Sequence, residues 1–187
     1  MQQPPTAAAV SAGSIHMDTL TSIMTRRSVR QYTDEDVTTE HLLTLLRAAM
    51  AAPSAGNQQP WRFVAVRDAE VRARLAEATP YASPIGRAPL GIVVMADTRE
   101  NKHPGFWVQD CSAATENLLL AAHAIGLGGV WIGVHPHEDR ASAVAQIVHP
   151  PEGFAVLGMI AIGHPAGSGP QVDRYHAEYV RTDSWDE

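Results

Sequence analysis

Cysteine is almost missing from this chain. The single thiol, Cys111, cannot close an internal disulfide or build a Cys-rich metal site, so nothing in the count asks for an oxidising compartment. Charge is scarce as well: charged residues make up 18% of the chain, 14 basic against 20 acidic, for a net charge of -6. An acidic surface repels phosphate backbones and anionic headgroups, which argues against nucleic acid and membranes as partners. Long apolar runs are absent too; the longest, such as Ala88 to Ala96, reach about half the ~20 residues that span a bilayer. Residues 1–16, rich in Pro, Ala, Gly and Ser, have neither the basic start nor the apolar centre of a secretory signal. They read as a flexible leader, with Met17 an alternative start. The expected setting is cytoplasmic and the expected partner a small molecule.

What is present is enough for one core. A chain of 187 residues with 45% hydrophobic content corresponds to one domain. At that size about 70% of the unfolded chain's surface is buried on folding. Leu20, Ile23 and Met24 space a short helix between Asp18 and Arg27. Thr38 precedes Glu40 and the apolar face Leu42, Leu43, Leu45, Leu46, Ala49 and Met50, which predicts a capped helix ending before Pro53. Strands are predicted over Trp61–Arg67, Leu90–Ala96, Val130–Val134 and Phe154–Ile162. Helices are predicted from Asp68 to about Ala78, from Phe106 to Ile125, and from Glu138 to Val148 ahead of Pro150 and Pro151. This interleaving predicts a sheet covered by helices on both faces with an arm at each end, without repeat or dividing linker. Leu118 to Ala122 is apolar all round, so the long helix is expected either at the centre of the domain or, preferably, shared between two subunits.

Six features bear on chemistry, each with a plainer reading beside it. Arg26, Arg27 and Arg30 around Ser28 suit a phosphate dianion, or form a solvated basic turn answering Asp34, Glu35 and Asp36. Pro53 to Trp61 places Ser54, Asn57, Gln58 and Gln59 between two prolines; amides match the donor and acceptor edge of a flavin or a base, or simply make a turn. Gly126, Gly128 and Gly129 follow a helix and precede a strand, which rejects a dinucleotide fingerprint; Gly126 is expected to end the long helix in a left-handed conformation. Trp131, Ile132 and Gly133 either present backbone donors to a planar ligand or belong to the core. His135 and His137 lack a companion carboxylate or thiol cluster for a metal, and His137 is placed to cap the next helix. Cys111 has no basic neighbour in sequence and reads as a buried, inert thiol.

Taken in order and spacing, Arg26–Arg30, Pro53–Trp61, Phe106–Ala122, Gly126–Pro136 and Ile162–Pro165 resemble the short single-domain members of the FMN-dependent nitroreductase family. The resemblance spans residues 17–174. It implies an α+β three-layer sandwich, a mixed and mainly antiparallel sheet flanked by helices, built as an intertwined homodimer with shared FMN sites. In that family's pattern Arg26, Arg27, Ser28 and Arg30 bind the cofactor, Arg26 and Ser28 toward the phosphate and Arg30 toward the pyrimidine edge. Pro53, Ser54 and Asn57 approach FMN from the partner subunit, and Trp131, Ile132 and Gly133 lie near the reactive N5. Gly163, His164 and Arg174 close the site, with Val172 where the family often has Lys, and residues 175–187 form an extension that wraps the partner. The implied activity is hydride transfer from NADH or NADPH through FMN to an organic acceptor such as a nitroaromatic or quinone, with no side chain as catalyst and no metal. Reduction of activated alkenes, dehydrogenation, dehalogenation and FMN binding without turnover are the alternatives on the same fold.

Overall fold

Thr38 stands immediately before its helix with extended backbone, and its hydroxyl accepts the His41 N–H, satisfying one of the donors a helix start leaves open. The computed structural model describes residues 17–99, 101–167, 169–170 and 172–185; the expected leader, 1–16, lies outside the described residues. In chain order the elements are α1 (Thr19–Thr25), α2 (Thr39–Met50), β1 (Trp61–Val66), α3 (Ala69–Glu77), α4 (Ser83–Arg87), β2 (Leu90–Asp97), α5 (Trp107–Ala124), β3 (Gly128–Gly133), α6 (Glu138–Val148) and β4 (Phe154–Gly163). Asp18 and Asp68 cap α1 and α3 as Thr38 caps α2, each carboxylate accepting the N–H three residues on.

The four strands form one sheet in the order β1-β2-β4-β3, every pair antiparallel. The only parallel pairing among the described residues is an isolated bridge between Ser28 and Gly129. β2 shows why both faces are covered. Leu90, Ile92, Val94 and Ala96 pack into a cluster with Leu45 and Ala49 of α2 and Leu118 and Ala122 of α5. Val93 and Met95 enter a second cluster with Leu75 of α3, Ile85 of α4 and Val144 of α6. Alternation along a strand sends successive side chains to opposite faces, so a strand apolar at every position requires helices on both sides. The result is a helix–sheet–helix sandwich of α+β class.

Three expectations need adjustment. His137 occupies the residue before α6, but its side chain makes no capping hydrogen bond; Glu138 and Asp139 in the first turn provide the favourable charge instead. β3 starts at Gly128, two residues ahead of the predicted Val130, since glycine is a poor strand signal. α4 is a short helix inside the proline-rich stretch that sequence reading left unassigned; Pro84 sits in its first turn, where a missing N–H costs nothing.

The end of α5 matches expectation closely. Gly126 has φ +83°, Leu127 N–H donates to Ala122 O at 2.8 Å and Gly126 N–H to His123 O at 3.1 Å. These two bonds close the helix and turn the chain straight into β3. α5 itself buries Cys111, Ala114, Leu118 and Ala122 within the chain, while Leu120 and Ala121 are only half-buried. The exposed apolar residues of α1 lie nearby: Leu20 and Met24 are each 71% exposed, and Thr25 Oγ1 lies 2.8 Å from His123 Nε2 of α5.

Candidate functional site

The segment 26–30 is held against the start of β3. Val29 N–H donates to Gly129 O at 3.0 Å, and Ser28 bridges Gly129. Gly128 must lack a side chain here, because a Cβ would sit 2.6 Å from Val29 Cγ2. Tyr32 fastens the segment from below: its hydroxyl lies 2.5 Å from Val29 O and 3.2 Å from Ala161 O, its ring leans on Gly163, and burial pushes its ionisation well above the ordinary phenol range.

Docked this way, the three arginines part company. Arg26 Nε pairs with Glu116 of α5 at 3.1 Å. Arg27 gives its guanidinium to backbone carbonyls, those of Met24, Arg26, Pro170 and Val172, and so ties Pro170 and Val172 to the end of α1. Arg27 and Val29 line an apolar cavity of about 560 Å³ that also contains Thr25, His123 and Pro165. Arg30 faces elsewhere, into a cleft of about 480 Å³ with Val130, Trp131, Ile132 and Gly133. The basic stretch is therefore a branch point between two cavities rather than one anion site.

Beyond the bridge from Ser28 to Gly129, the β3 side of this cleft is a sheet edge: among the described residues β4 is the strand that pairs with β3. Gly129 turns its carbonyl outward to Val29, and backbone polar groups alternate along an antiparallel strand. Trp131 and Gly133 therefore share the outward orientation of Gly129, presenting N–H and C=O to whatever enters beside Arg30. At Gly133 the space a Cβ would fill is open, with no heavy atom within 4 Å. An arginine, backbone donors and acceptors along one edge, and the open space at Gly133 match a planar heterocycle with polar edges.

The loop carrying Pro53, Ser54 and Asn57 does not join them. It belongs to the α2 and α5 side of the sheet, where buried Asp110, 4% exposed, accepts Ala55 N–H at 2.9 Å and the Gln58 amide at 2.6 Å. The Gln58 side chain also donates to His103 O at 3.1 Å and accepts from His103 N–H at 3.0 Å. Ser54 Oγ accepts Gln59 N–H at 3.0 Å, and Gln59 Nε2 donates to Asn57 Oδ1 at 3.0 Å. Asn57 and Gln59 have φ of +55° and +49°, left-handed conformations that non-glycine residues adopt only when neighbours hold them. Two of the loop's amides, Gln58 and Gln59, thus shape it, and Asp110 is the residue sequence reasoning missed: on the page it is an acid in the first turn of a helix with nothing to mark it as a clamp.

Gly163 sits at the end of β4 opposite Gly128. His164 turns its ring toward Glu35, with Nε2 3.5 Å from Oε1, and toward His41, 6.0 Å between ring centroids. Arg174 is exposed. None of these three, nor Arg26, lines either cavity. Two further arginines do line the cleft and went unnoticed in sequence: Arg87, the last residue of α4, and Arg140, in the first turn of α6. His135 packs its ring edge-on to Trp107 at 4.9 Å. The Cys111 thiol is buried and pushed up to about 12, chiefly by desolvation, in keeping with an inert core group.

With the geometry set out, likeness to known proteins decides the family. The sequence profile of the Nitroreductase family matches residues 23–81 and 77–164. The chain belongs to the nitroreductase family. A protein of Archaeoglobus fulgidus, provisionally named an NADH dehydrogenase/NAD(P)H nitroreductase, is 42% identical over 170 residues, 89% of this chain and 98% of its own. A crystal structure of a protein with the same provisional name from Parabacteroides distasonis superposes with a TM-score of 0.85 at 37% identity, covering 89% of this chain and 98% of that one. A provisionally named nitroreductase of Desulfovibrio desulfuricans, solved in complex with FMN, superposes with a TM-score of 0.77 at 34% identity over 90% and 98% of the two chains.

His123 of this nitroreductase-family chain gives a pH-dependent signature at the arginine end of α5. Burial, then the charges of Arg26 and Arg27, lower its pKa below the usual 6.5. A depressed histidine supports the fold while neutral: the contribution is complete above pH 6.5 and is lost as pH falls through the lowered folded value. Thermal denaturation between pH 8 and pH 5 should show stability falling with acid, and His123→Gln should flatten that fall.

Proposed function

We propose that this chain is an FMN-dependent oxidoreductase that takes hydride from NADH or NADPH and passes it to an organic acceptor such as a nitroaromatic or a quinone, the two substrates using one site in turn. The observation that carries the reading is the meeting of Arg30 with the open edge of β3 at Trp131 and Gly133, in a family that includes a relative solved with FMN. FMN, when bound, supplies a ring nitrogen, N5, that accepts and releases hydride.

The protein's own part is orientation and charge. Backbone groups of Trp131 and Gly133 hold the edge of a planar ring, and the bare Cα of Gly133 leaves its face accessible to a second substrate. Arg30 keeps a positive charge at the pyrimidine edge, which favours the electron-rich form and raises its reduction potential. The phosphate falls to the other side of the segment, to Arg26, Arg27, Ser28 and Arg174, with Gly163 and His164 behind them. Arg27 acts there by holding the backbone of Pro170 and Val172 in place. Val172 adds no charge, so the positive charge at the phosphate comes from arginines.

The loop bearing Pro53, Ser54 and Asn57 lies on the face of the sheet opposite α4 and α6, which line the cleft together with β3. It reaches a bound flavin from a second copy of the chain. An intertwined homodimer with two shared sites follows, and it also covers Leu20, Met24, the half-buried face of α5 and the exposed aromatics Tyr175, Tyr179 and Trp185 of the C-terminal extension.

The test is an absorption spectrum of the purified protein before and after anaerobic titration with each nicotinamide. A yellow protein whose flavin bleaches with NADH or NADPH is the expected result, with Arg26→Ala losing FMN on dilution faster than the parent. Colourless protein that cannot be loaded with FMN would defeat the reading, and a bound flavin that neither nicotinamide reduces would leave an FMN-binding protein without turnover.

A further inference from the structure

The cleft beside β3 holds more positive charge than a flavin uses. Arg87 and Arg140 line it together with Arg30, and its lining contains no Asp or Glu. Among the described residues no carboxylate lies within ion-pair distance of any of the three, although the chain as a whole has acids in excess. The Arg140 guanidinium carbon lies 5.6 Å from the centroid of the Tyr81 ring, a cation–π contact on the cleft wall. Arg140 moreover sits in the first turn of α6, where a positive charge opposes the helix dipole, so its position there is a small local cost that needs a reason.

We infer that Arg87 and Arg140 recognise a carboxylate or phosphate carried by one of the two small-molecule substrates, so that the cleft selects anionic over neutral molecules of the same shape. This rests on the flavin reading, because that reading fixes what the other arginines do. Under that reading Arg30 would answer the charge of the flavin ring, and Arg26 and Arg174 would hold the FMN phosphate. Arg87 and Arg140 remain, on the walls of α4 and α6 rather than on the segment that grips the cofactor. A guanidinium presents a rigid pair of donors to a carboxylate or phosphate, and Pro84 and Trp131 line the same cleft.

The acceptor arm of the experiment compares 4-nitrobenzoate with its neutral isostere 4-nitrobenzamide on the holoenzyme. The dinucleotide arm compares NADPH, which has the additional 2′-phosphate, with NADH. In Arg87→Gln and Arg140→Gln the kcat/KM ratio of the anionic to the neutral member should fall roughly fivefold in one arm, through KM, and further in the double variant. Which arm responds identifies which substrate brings the charge. Arg87→Lys and Arg140→Lys, which keep the charge and the fold but not the fork, should recover part of the loss. Ratios that stay level in both arms overturn the inference. So does a loss of FMN retention without a change in charge preference, which would give these arginines to the cofactor. Calorimetric binding of 4-nitrobenzoate and 4-nitrobenzamide to the protein as purified requires no turnover. It still decides the charge preference of the cleft where colourless protein has already removed the flavin reading.

Discussion

Replacing Asp110 by alanine should cost about 3 kcal/mol, roughly a 9 °C fall in melting temperature for a domain of this size. Two donors, the Ala55 N–H and the Gln58 amide, lose the charged acceptor that the buried Asp110 carboxylate provides. Asparagine should rescue little, although it is nearly isosteric. The Gln58 side chain is pinned by its double hydrogen bond to the backbone of His103, so it cannot rotate to offer its oxygen, and an asparagine NH2 would face the Gln58 NH2. Differential scanning calorimetry of Asp110→Ala and Asp110→Asn checks both. An asparagine variant as stable as the parent would mean that Gln58 is less firmly held than its geometry indicates. Under the proposed function the same variants should also weaken FMN retention, because the loop they loosen is the one offered to the partner.

The second large effect is expected at Gly163. A Cβ there would lie 2.7 Å from Pro89 Cδ and 2.8 Å from Tyr32 Cδ1, and neither atom is the free end of a flexible side chain. Valine should cost about 3 kcal/mol through overpacking. The injury also spreads beyond packing, since a displaced Tyr32 ring withdraws its hydroxyl from Val29 O and releases the segment that aims Arg30 into the cleft. Gly163→Val should therefore lower the melting temperature and speed FMN loss together. Loss of stability alone, with flavin held as firmly as before, would show that Tyr32 is not what secures the segment.

Some of this was legible in the sequence for physical reasons that can be named. α6 was read residue for residue because it has an acidic first turn, a 3.6-residue apolar spacing and two prolines beyond its end. Gly126 was read because few residues other than glycine end a helix in the left-handed region. β2 was read because the continuous apolar run from Leu90 to Ala96 leaves little besides a strand covered on both faces. What escaped depends on long-range contact. Arg30, Arg87 and Arg140 belong to three separate elements, and no local pattern states that a loop, α4 and α6 will face one cleft. The reverse error has the same origin: Arg26, Arg27 and Arg30 are neighbours in the chain, yet extended backbone turns Arg27 and Arg30 to opposite sides. Asp110 was missed because a clamp is defined by what it reaches, and Ala55 and Gln58 are distant in sequence.

The buried position of Cys111 has a practical corollary. With its sulfur packed against the Met95 carbonyl and its ionisation suppressed, the sole thiol offers no handle to peroxide or to maleimide while the chain stays folded. It becomes a natural clock for global opening: the rate at which an alkylating reagent marks this one position reports how often the sandwich comes apart, with no engineered label and no background from other sulfhydryls.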